Sequence, residues 1–379
     1  MQPLGAPRQI WRWGMFLLIG WTLLWINGDM AASTARAQGE QPTATTPAEQ
    51  SGTAAVTAES VQVRRVKVNF FINSIHTIDD ENGSYAIDFW LDLFWRDPAL
   101  EGKTVDDVDP ARLWNPQVEA INSTDLTVLY QSYADSFEPD TNVYLSQRLV
   151  GTFTNVFNLR RFPFDRQRLV IALESSDFDS NRLLFDFMDA NQAIIYSEKP
   201  FTFPLPIGKY ISTEFALGEW SLTEANVVQQ LHVLPYDKST WAQLRIELQL
   251  QRHFQSYVLK IMLVFVFIMG LGATVFAIKL SELRYRLLAF FMLLLTAVTF
   301  DFTRLQRSPR TAYLTLLDLQ ALLCYFVLGI AILAVVLIAL RNKSGAAVQA
   351  ERLNRWVAVG YGVTIVLINL GLSWYGWRG

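Results

Sequence analysis

The chain has 379 residues, 51% of them hydrophobic, and a net charge of −3 at pH 7. The hydrophobic share lies above the usual soluble range of about 45–50%. Since the excess falls in the last third, we expect a polar part followed by a membrane part. The charge argues against a nucleic-acid partner. With Cys324 as its one cysteine and three scattered histidines, the sequence offers no disulfide framework, metal-ligand spacing or nucleophile–base pair, so we predict neither a cofactor nor enzymatic activity.

The first 60 residues predict export followed by a linker. Arg8 and Arg12 precede a short apolar run, and Ala35-Arg36-Ala37 forms a small-residue cleavage pattern. Together they indicate a signal peptide over residues 1–37, although an uncleaved membrane anchor would export the chain equally well. Residues 38–60 contain almost no large apolar side chains and cannot bury enough surface to fold, so we expect a disordered linker there.

Residues 61–252 predict an extracellular antiparallel β-sandwich. Apolar and polar residues alternate with period two in many short runs, most clearly over residues 85–95. Turn signals such as Asp79-Asp80-Glu81-Asn82-Gly83 separate these runs, and no helical pattern intervenes. This length of chain is enough for one domain with a core of its own.

Residues 253–379 predict a transmembrane domain of four helices. Apolar runs at about 257–278, 287–303, 314–340 and 356–377 reach the ~20 residues that a bilayer requires, the second only barely. The two loops that would lie inside carry seven basic residues, against four in the outside turn and tail. This bias follows the positive-inside rule. We therefore expect a multi-pass protein of the plasma (inner) membrane with both termini on the extracellular or periplasmic side.

Phe162-Pro163-Phe164-Asp165 is the motif around which the sandwich is interpreted. Proline fixes φ near ~−65° and removes a hydrogen-bond donor, so we expect a stiff loop. Its two aromatic rings would anchor in apolar material and leave Asp165 to meet a cation. Arg252, at the end of the last predicted strand, is costly to bury unless it finds an acidic partner. An ordinary structural turn is the alternative interpretation of the motif.

Six motifs in order resemble those of the pentameric ligand-gated ion channels, the Cys-loop receptor superfamily, over about residues 65–379. The missing cysteine pair and the short 341–355 loop are similar to bacterial members. The resemblance implies a homopentamer in the bilayer, an agonist bound between neighbouring extracellular domains, and a central pore for a monovalent ion lined by the second helix. The motifs are Trp90–Leu100, Leu113–Pro116, Phe162–Gln167, Gly218–Trp220, Arg252, and Ser308–Thr315 with Asp318.

The resemblance also implies a set of ligand-binding positions. In the run Glu174–Phe178, a serine stands where the family has a tryptophan. The aromatic cage that binds amines by cation–π contact is therefore incomplete. The agonist, a small ligand or a proton, therefore stays open, and Trp90 can equally be a core tryptophan. The positions are Trp90, Ile121, Asn122, Glu174, Phe178, Tyr236 and Trp241.

Coupling between the two domains is predicted from charge. Arg252 would be neutralised by Asp165 and Asp97, as the resemblance implies. We also expect the acidic tip at residues 79–81 to face the basic turn at 304–313, so that opposite charges dock the sandwich on the gating helix. The predicted coupling residues are Asp79, Asp80, Asp97, Phe162, Pro163, Asp165, Arg252, Arg304, Pro309 and Tyr313.

Aligned through Pro309, the resemblance also implies which face of the second helix would line the pore. Leu288, Met292, Leu295, Thr299 and Phe302 recur at helical spacing, and this mostly apolar stripe would form a constriction that closes by dewetting. Glu282, Arg284 and Arg286 stand at the inner mouth; a glutamate ring would select cations and an arginine ring would disfavour them, and the sequence leaves this choice open. The alternative is ordinary packing of the stripe in a receptor that does not conduct.

Overall fold

The computed structural model describes residues 63–378, apart from 101–102, 104–107, 110–111, 134–141, 190, 197–198 and 307. The predicted signal peptide and linker, residues 1–37 and 38–60, lie outside the described residues. The described chain consists of a two-sheet β domain followed by four long helices.

The β domain contains eleven strands within the described residues. A six-stranded sheet has the order β4-β5-β2-β1-β7-β8, and a five-stranded sheet has the order β3-β6-β11-β10-β9. The strands are β1 Arg64–Asp79, β2 Ser84–Arg96, β3 Val118–Ala120, β4 Ser123–Tyr133, β5 Asn142–Thr154, β6 Arg166–Ser175, β7 Leu183–Met188, β8 Ile194–Ile195, β9 Phe201–Pro204, β10 Trp220–Val233 and β11 Thr240–Arg252.

Alternation along the strands builds the core between the two sheets. Phe89, Leu91 and Leu93 of β2 are buried, as are Ile246 and Leu248 of β11, because every second side chain of a strand points to the same face. Each such side chain stabilises the fold by about 1.5–3 kcal/mol when fully buried. The predicted sandwich is confirmed.

One strand pair departs from the predicted antiparallel arrangement. β1 and β7 run parallel, from Arg64 opposite Leu183 to Val68 opposite Phe187. The other strand pairs of the two sheets are antiparallel. Because β6 belongs to the five-stranded sheet, the chain crosses the sandwich before β7, and no hairpin sets the direction of that strand.

Four helices, each long and apolar enough to cross a membrane, follow the β domain. They are α1 Gln255–Val275, α2 Leu283–Leu305, α3 Leu316–Lys343 and α4 Ala347–Trp377. α3 begins with a capping box in which Thr315 and Asp318 satisfy each other's backbone amides. α4 begins before the predicted apolar run at 356–377, because the more polar residues 347–355 are also helical. The predicted 341–355 loop is therefore mostly helix, and the turn between α3 and α4 is short.

Candidate functional site at the sandwich–helix junction

The loop between β5 and β6 presses the sandwich onto the helices. It contains a cis peptide bond between Phe162 and Pro163. Phe162 is buried and meets the Tyr257 ring edge-on, with 4.9 Å between ring centroids. Leu159 joins the same apolar cluster, which draws its other members from α1, α3 and α4. Apolar burial therefore fixes this loop against three of the four helices.

Phe164, the second aromatic residue of the motif, contacts the two ends of the helical domain. Its ring lies 4.9 Å from that of Phe254, just before α1, and Phe254 lies 6.5 Å from Trp377 at the end of α4. A Cβ atom on Gly376 would come within 2.6 Å of the Phe164 ring. The last turn of α4 therefore needs a glycine to approach the loop this closely.

Arg252 lies at the centre of a charge cluster in the junction. Its side chain is fully buried and meets three carboxylates: Asp80 Oδ2 accepts from Nη2 at 2.7 Å, Asp165 Oδ1 from Nε at 2.9 Å, and Glu219 Oε2 from Nη1 at 3.1 Å. The guanidinium also lies 4.0 Å from the centre of the Trp220 ring. We call Arg252, Asp80, Asp165 and Glu219 the junction cluster.

The junction cluster carries more negative than positive charge. Burial lowers the pKa of Arg252, but its hydrogen bonds and attraction to Asp165 and Asp80 outweigh this, so the net shift is upward. Burial raises the pKa of the Asp80 carboxyl, and Arg252 only partly offsets this because Asp165 and Glu219 repel a further negative charge. Asp80 is thus the cluster member whose protonation is made easier.

The junction cluster also holds the start of α1. Glu219 accepts a second hydrogen bond, from the Tyr257 hydroxyl at 2.7 Å, and its backbone carbonyl accepts from the amide of His253 at 2.7 Å. Gln167 donates to Asp165 Oδ2 at 2.7 Å. These hydrogen bonds connect the loops that carry the carboxylates to the first turn of α1.

Asp97, which was predicted to neutralise Arg252, does not belong to the junction cluster. It is buried, and its Oδ1 accepts from the backbone amide of Ala99 at 3.1 Å, at the short turn Pro98–Leu100. Among the ion pairs of the described residues, none joins Asp97 to Arg252. Asp80 and Glu219 occupy the positions around Arg252 that the sequence assigned to Asp97.

The β1–β2 tip reaches the α2–α3 turn through Glu81. Glu81 lies 3.9 Å from Arg310, and both side chains are exposed. Asp79 instead accepts the backbone amides of Glu81 and Asn82 at 3.0 and 3.1 Å, and hydrogen bonds from Asn82 lower its pKa. Gly83, with φ +64°, closes the tip against the carbonyl of Asn155. Of the three acidic tip residues, only Glu81 pairs with the basic turn among the described ion pairs. Asp80 instead points inward and pairs with Arg252.

The turn after α2 contacts the β5–β6 loop through an aromatic residue. The Tyr313 hydroxyl accepts from the backbone amide of Leu159 at 2.9 Å. Arg304 is buried and pairs with Asp301 and Asp318, each at 2.7 Å, which ties α2 to α3. Pro309 is half-buried in the turn. Asp301 faces protein, as expected for a carboxylate in a membrane helix.

The sequence-predicted ligand positions divide between the two sheets. Trp90 lies on β2 and meets the exposed Tyr130 edge-on, with centroids 5.7 Å apart. Phe178 packs on Trp114 at 5.2 Å beside the five-stranded sheet, and Tyr236 is 80% exposed on the loop between β10 and β11. One chain therefore presents two separate aromatic surfaces.

The remaining ligand positions have structural partners. The Asn122 amide donates to Val170 O at 2.7 Å and accepts from Ala172 N at 3.0 Å, while Ile121 is exposed. Trp241 donates its indole N–H to Ser239 at 2.9 Å. Glu174 is buried, and its side chain bonds Gln243 on the adjacent strand β11 and His232 on β10, one strand further away.

The predicted pore stripe lies on the free face of α2. Its five members, Leu288 to Phe302, are all exposed, whereas Phe290 and Ala297 on the opposite face are buried. Glu282 and Arg284 are exposed at the start of the helix. Arg286 instead lies on the buried face, where its Nη2 donates to the Asn354 side chain of α4. Arg286 therefore does not share a face with the stripe.

Two residues that take part in the hydrogen-bond networks described above, Glu219 and His232, were not predicted from the sequence. Glu219 lies inside the Gly218–Trp220 motif, and the pairing of Trp220 with Arg252 across β10 and β11 is the signal that would have placed it in the junction. His232 was one of three scattered histidines to which the sequence assigned no role, yet its Nδ1 lies 2.6 Å from Glu174. That contact spans β11 and cannot be found from sequence spacing.

Comparison with known proteins agrees with this architecture. Residues 54–254, more than half of the chain, match the family model described as "Neurotransmitter-gated ion-channel ligand binding domain". The chain is 21% identical over 317 residues to a proton-gated ion channel of Gloeobacter violaceus, covering 81% of this chain and 82% of that one.

Two animal receptor subunits show similar identity over less of their own length. An acetylcholine-gated chloride channel subunit of Caenorhabditis elegans, acc-1, is 26% identical over 73% of this chain and 59% of its own. A gamma-aminobutyric acid receptor subunit theta of Mus musculus is 23% identical over 72% of this chain and 41% of its own. The chain is a multi-pass membrane protein that belongs to the pentameric ligand-gated ion channels, the Cys-loop receptor superfamily.

Proposed function

We propose that the chain is the subunit of a homopentameric ligand-gated ion channel in a bacterial plasma (inner) membrane, with both termini outside. The observation that carries this proposal is the junction cluster. Through it, three carboxylates of the ligand-binding domain bind the arginine that directly precedes the first membrane helix. A buried pair resists separation because each charge left alone would be costly. Movement of the sandwich is therefore passed to α1 rather than absorbed.

A second path of coupling runs to the pore helix. Tyr313 holds the α2–α3 turn on the β5–β6 loop, and Arg304 locks the end of α2 to α3. Rotation of the loop would pull on the turn and, through it, on the outer end of α2. We assign Phe162, Pro163 and Asp165 to this loop-side contact.

The agonist is proposed to bind between neighbouring subunits. Phe178, Tyr236 and Trp241 lie on one side of the chain's sandwich and Trp90 and Tyr130 lie on the other sheet. A second copy would therefore complete each aromatic site, in a head-to-tail contact of the kind that closes into a ring.

The agonist is a small ligand or a proton. Proton gating is supported by two observations: the relative from Gloeobacter violaceus is named a proton-gated channel, and burial raises the pKa of Asp80 in the junction cluster. The permeating species is a monovalent ion. Glu282 and Arg284, exposed at the start of α2, determine whether this ion is a cation or an anion.

Recording from liposomes, scanned over pH and small ligands, tests the proposal. We expect gated currents, and a larger open probability in Leu295→Ala, because the smaller side chain weakens the hydrophobic constriction. Leu293→Ala is the matched control, since Leu293 packs into the helix bundle. Silence under all conditions from a pentamer verified by native mass spectrometry would favour the alternative, a receptor on this fold that does not conduct.

A further inference from the structure

Three strands of the five-stranded sheet share a polar network on its outer face. Glu174 of β6 is buried, and its Oε1 lies 2.6 Å from His232 Nδ1 on β10 and 2.6 Å from Gln243 Nε2 on β11. Gln230 of β10 donates to Gln243 at 2.6 Å. Because the strand order is β6-β11-β10, the contact between His232 and Glu174 reaches across the middle strand.

The contact lies at the base of the loop that carries Tyr236. His232 is opposite Trp241 in the β10–β11 hairpin, and the loop begins two residues later at Leu234. β9 pairs with β10 only along Asn226–Gln229, so among the described strands none pairs with β10 at His232 on the side away from β11. The position of this part of β10 therefore depends on its contacts with β11 and with Glu174.

Several carboxylates lie near His232. Glu119 of β3 lies opposite Glu174 in the strand register, which adds a second carboxylate. Asp237 in the loop accepts from the backbone amide of Ser239, which lowers its pKa and keeps it ionised in mild acid. Other charged groups on this face and its loops include Arg245 and Arg168, both paired with Glu247, and Arg182, paired with Asp179. Asp177 and Lys238 lie in the neighbouring loops.

We propose that His232 and Glu174 form a proton-sensitive tie that fixes the base of the Tyr236 loop to β6. Histidine is the side chain that ordinarily changes charge between pH 5 and 8. A neutral imidazole can donate one hydrogen bond to the Glu174 carboxylate, whereas an imidazolium adds the attraction between opposite charges to that bond. Acidification therefore tightens the loop over the proposed agonist site. The functional part of this inference rests on the proposed function, but the tie itself does not.

Thermal unfolding of the full-length protein in detergent, at pH 8 and pH 5.5, tests the tie without requiring conduction. We expect acidification to raise the unfolding midpoint of the wild type relative to that of His232→Gln by about 2–4 °C. Glu174→Gln removes the carboxylate and should abolish the same difference. His76→Gln is the matched control, because His76 is exposed and its ring bonds only Ser74 among the described hydrogen bonds.

Hydrogen exchange of residues 231–241, compared between variants at one pH, gives a local readout. At pH 5.5 we expect faster exchange there in His232→Gln than in the wild type, with no difference at pH 8. Equal pH dependence of the wild type and His232→Gln in both measurements would overturn the tie. A tie present in a protein that never conducts would instead count against the proposed function alone.

Discussion

Two buried arginines, Arg252 before α1 and Arg286 near the start of α2, have their positive charge compensated in different ways. Both side chains are almost fully buried. Arg252 meets three carboxylates, whereas Arg286 donates to the side-chain amide of Asn354 and lies 5.7 Å from the Phe276 ring, with no carboxylate within ion-pair distance among the described residues. The end of the helical domain next to the sandwich is therefore held by ion pairs, and the opposite end by hydrogen bonds to a neutral amide and by packing.

The difference concerns how strongly each arginine depends on its partners. A charge pair broken by removal of one partner costs about 3–5 kcal/mol, because the other charge stays buried alone. The junction cluster would thus act as a stiff connection between the two domains. Arg286 has no such dependence, since Asn354 keeps a second bond, to the carbonyl of Phe276 at 2.9 Å. Loss of the Arg286 contact should therefore cost less than loss of a contact in the junction cluster.

The largest effect is expected for Arg252→Met. Three carboxylates would lose their cation, and we expect a loss of about 3–5 kcal/mol of stability, with little folded pentamer on size-exclusion chromatography. Arg252→Lys keeps the charge but replaces a planar fork with a single ammonium. It should yield folded protein with impaired gating in liposome recordings. Wild-type stability in Arg252→Met would refute the idea that charge holds the junction.

Arg286→Met is expected to act in the opposite direction. It removes a buried cation that leaves no carboxylate behind, so stability should be unchanged or higher by about 1 kcal/mol. The unfolding midpoint measured beside that of Arg252→Met gives the sharpest form of the comparison, because the same substitution is made at two buried arginines. A loss as large as that of Arg252→Met would show that both arginines are bound equally strongly.

The contacts of Arg252 could be predicted from the sequence in part, whereas those of Arg286 could not. The β-sandwich, the four spans and the contact between Asp165 and Arg252 follow from periodicity, apolar length and a motif that needs a counter-charge. The grouping of Arg286 with Glu282 and Arg284 does not hold, because Arg284 and Arg286 are about half a helical turn apart and so lie on opposite faces of α2, and sequence spacing alone does not fix the rotation of that helix. Asp80 and Glu219 became partners of Arg252 through loop geometry, which depends on contacts between distant segments.

The smallest effect is expected for Asp80→Asn, and it concerns pH. Because burial raises the pKa of Asp80, the folded chain binds a proton at this group more readily than the unfolded chain. In the window from the unfolded value near ~4 up to the raised value, the stability of the wild type therefore falls as pH rises. Asn keeps an oxygen to accept from Arg252 and cannot titrate. We expect its unfolding midpoint to depend less on pH in that window.

Glu81→Gln is the matched control for this last experiment, since it removes a neighbouring carboxylate that is exposed and 3.9 Å from Arg310. Exposed pairs contribute about 0–1 kcal/mol, so its pH profile should follow that of the wild type. If Glu81→Gln changed the profile as much as Asp80→Asn, the surface tip rather than the buried cluster would dominate the electrostatics of the junction. If only Asp80→Asn changes it, the buried Asp80 carboxyl is what makes the junction sensitive to acid.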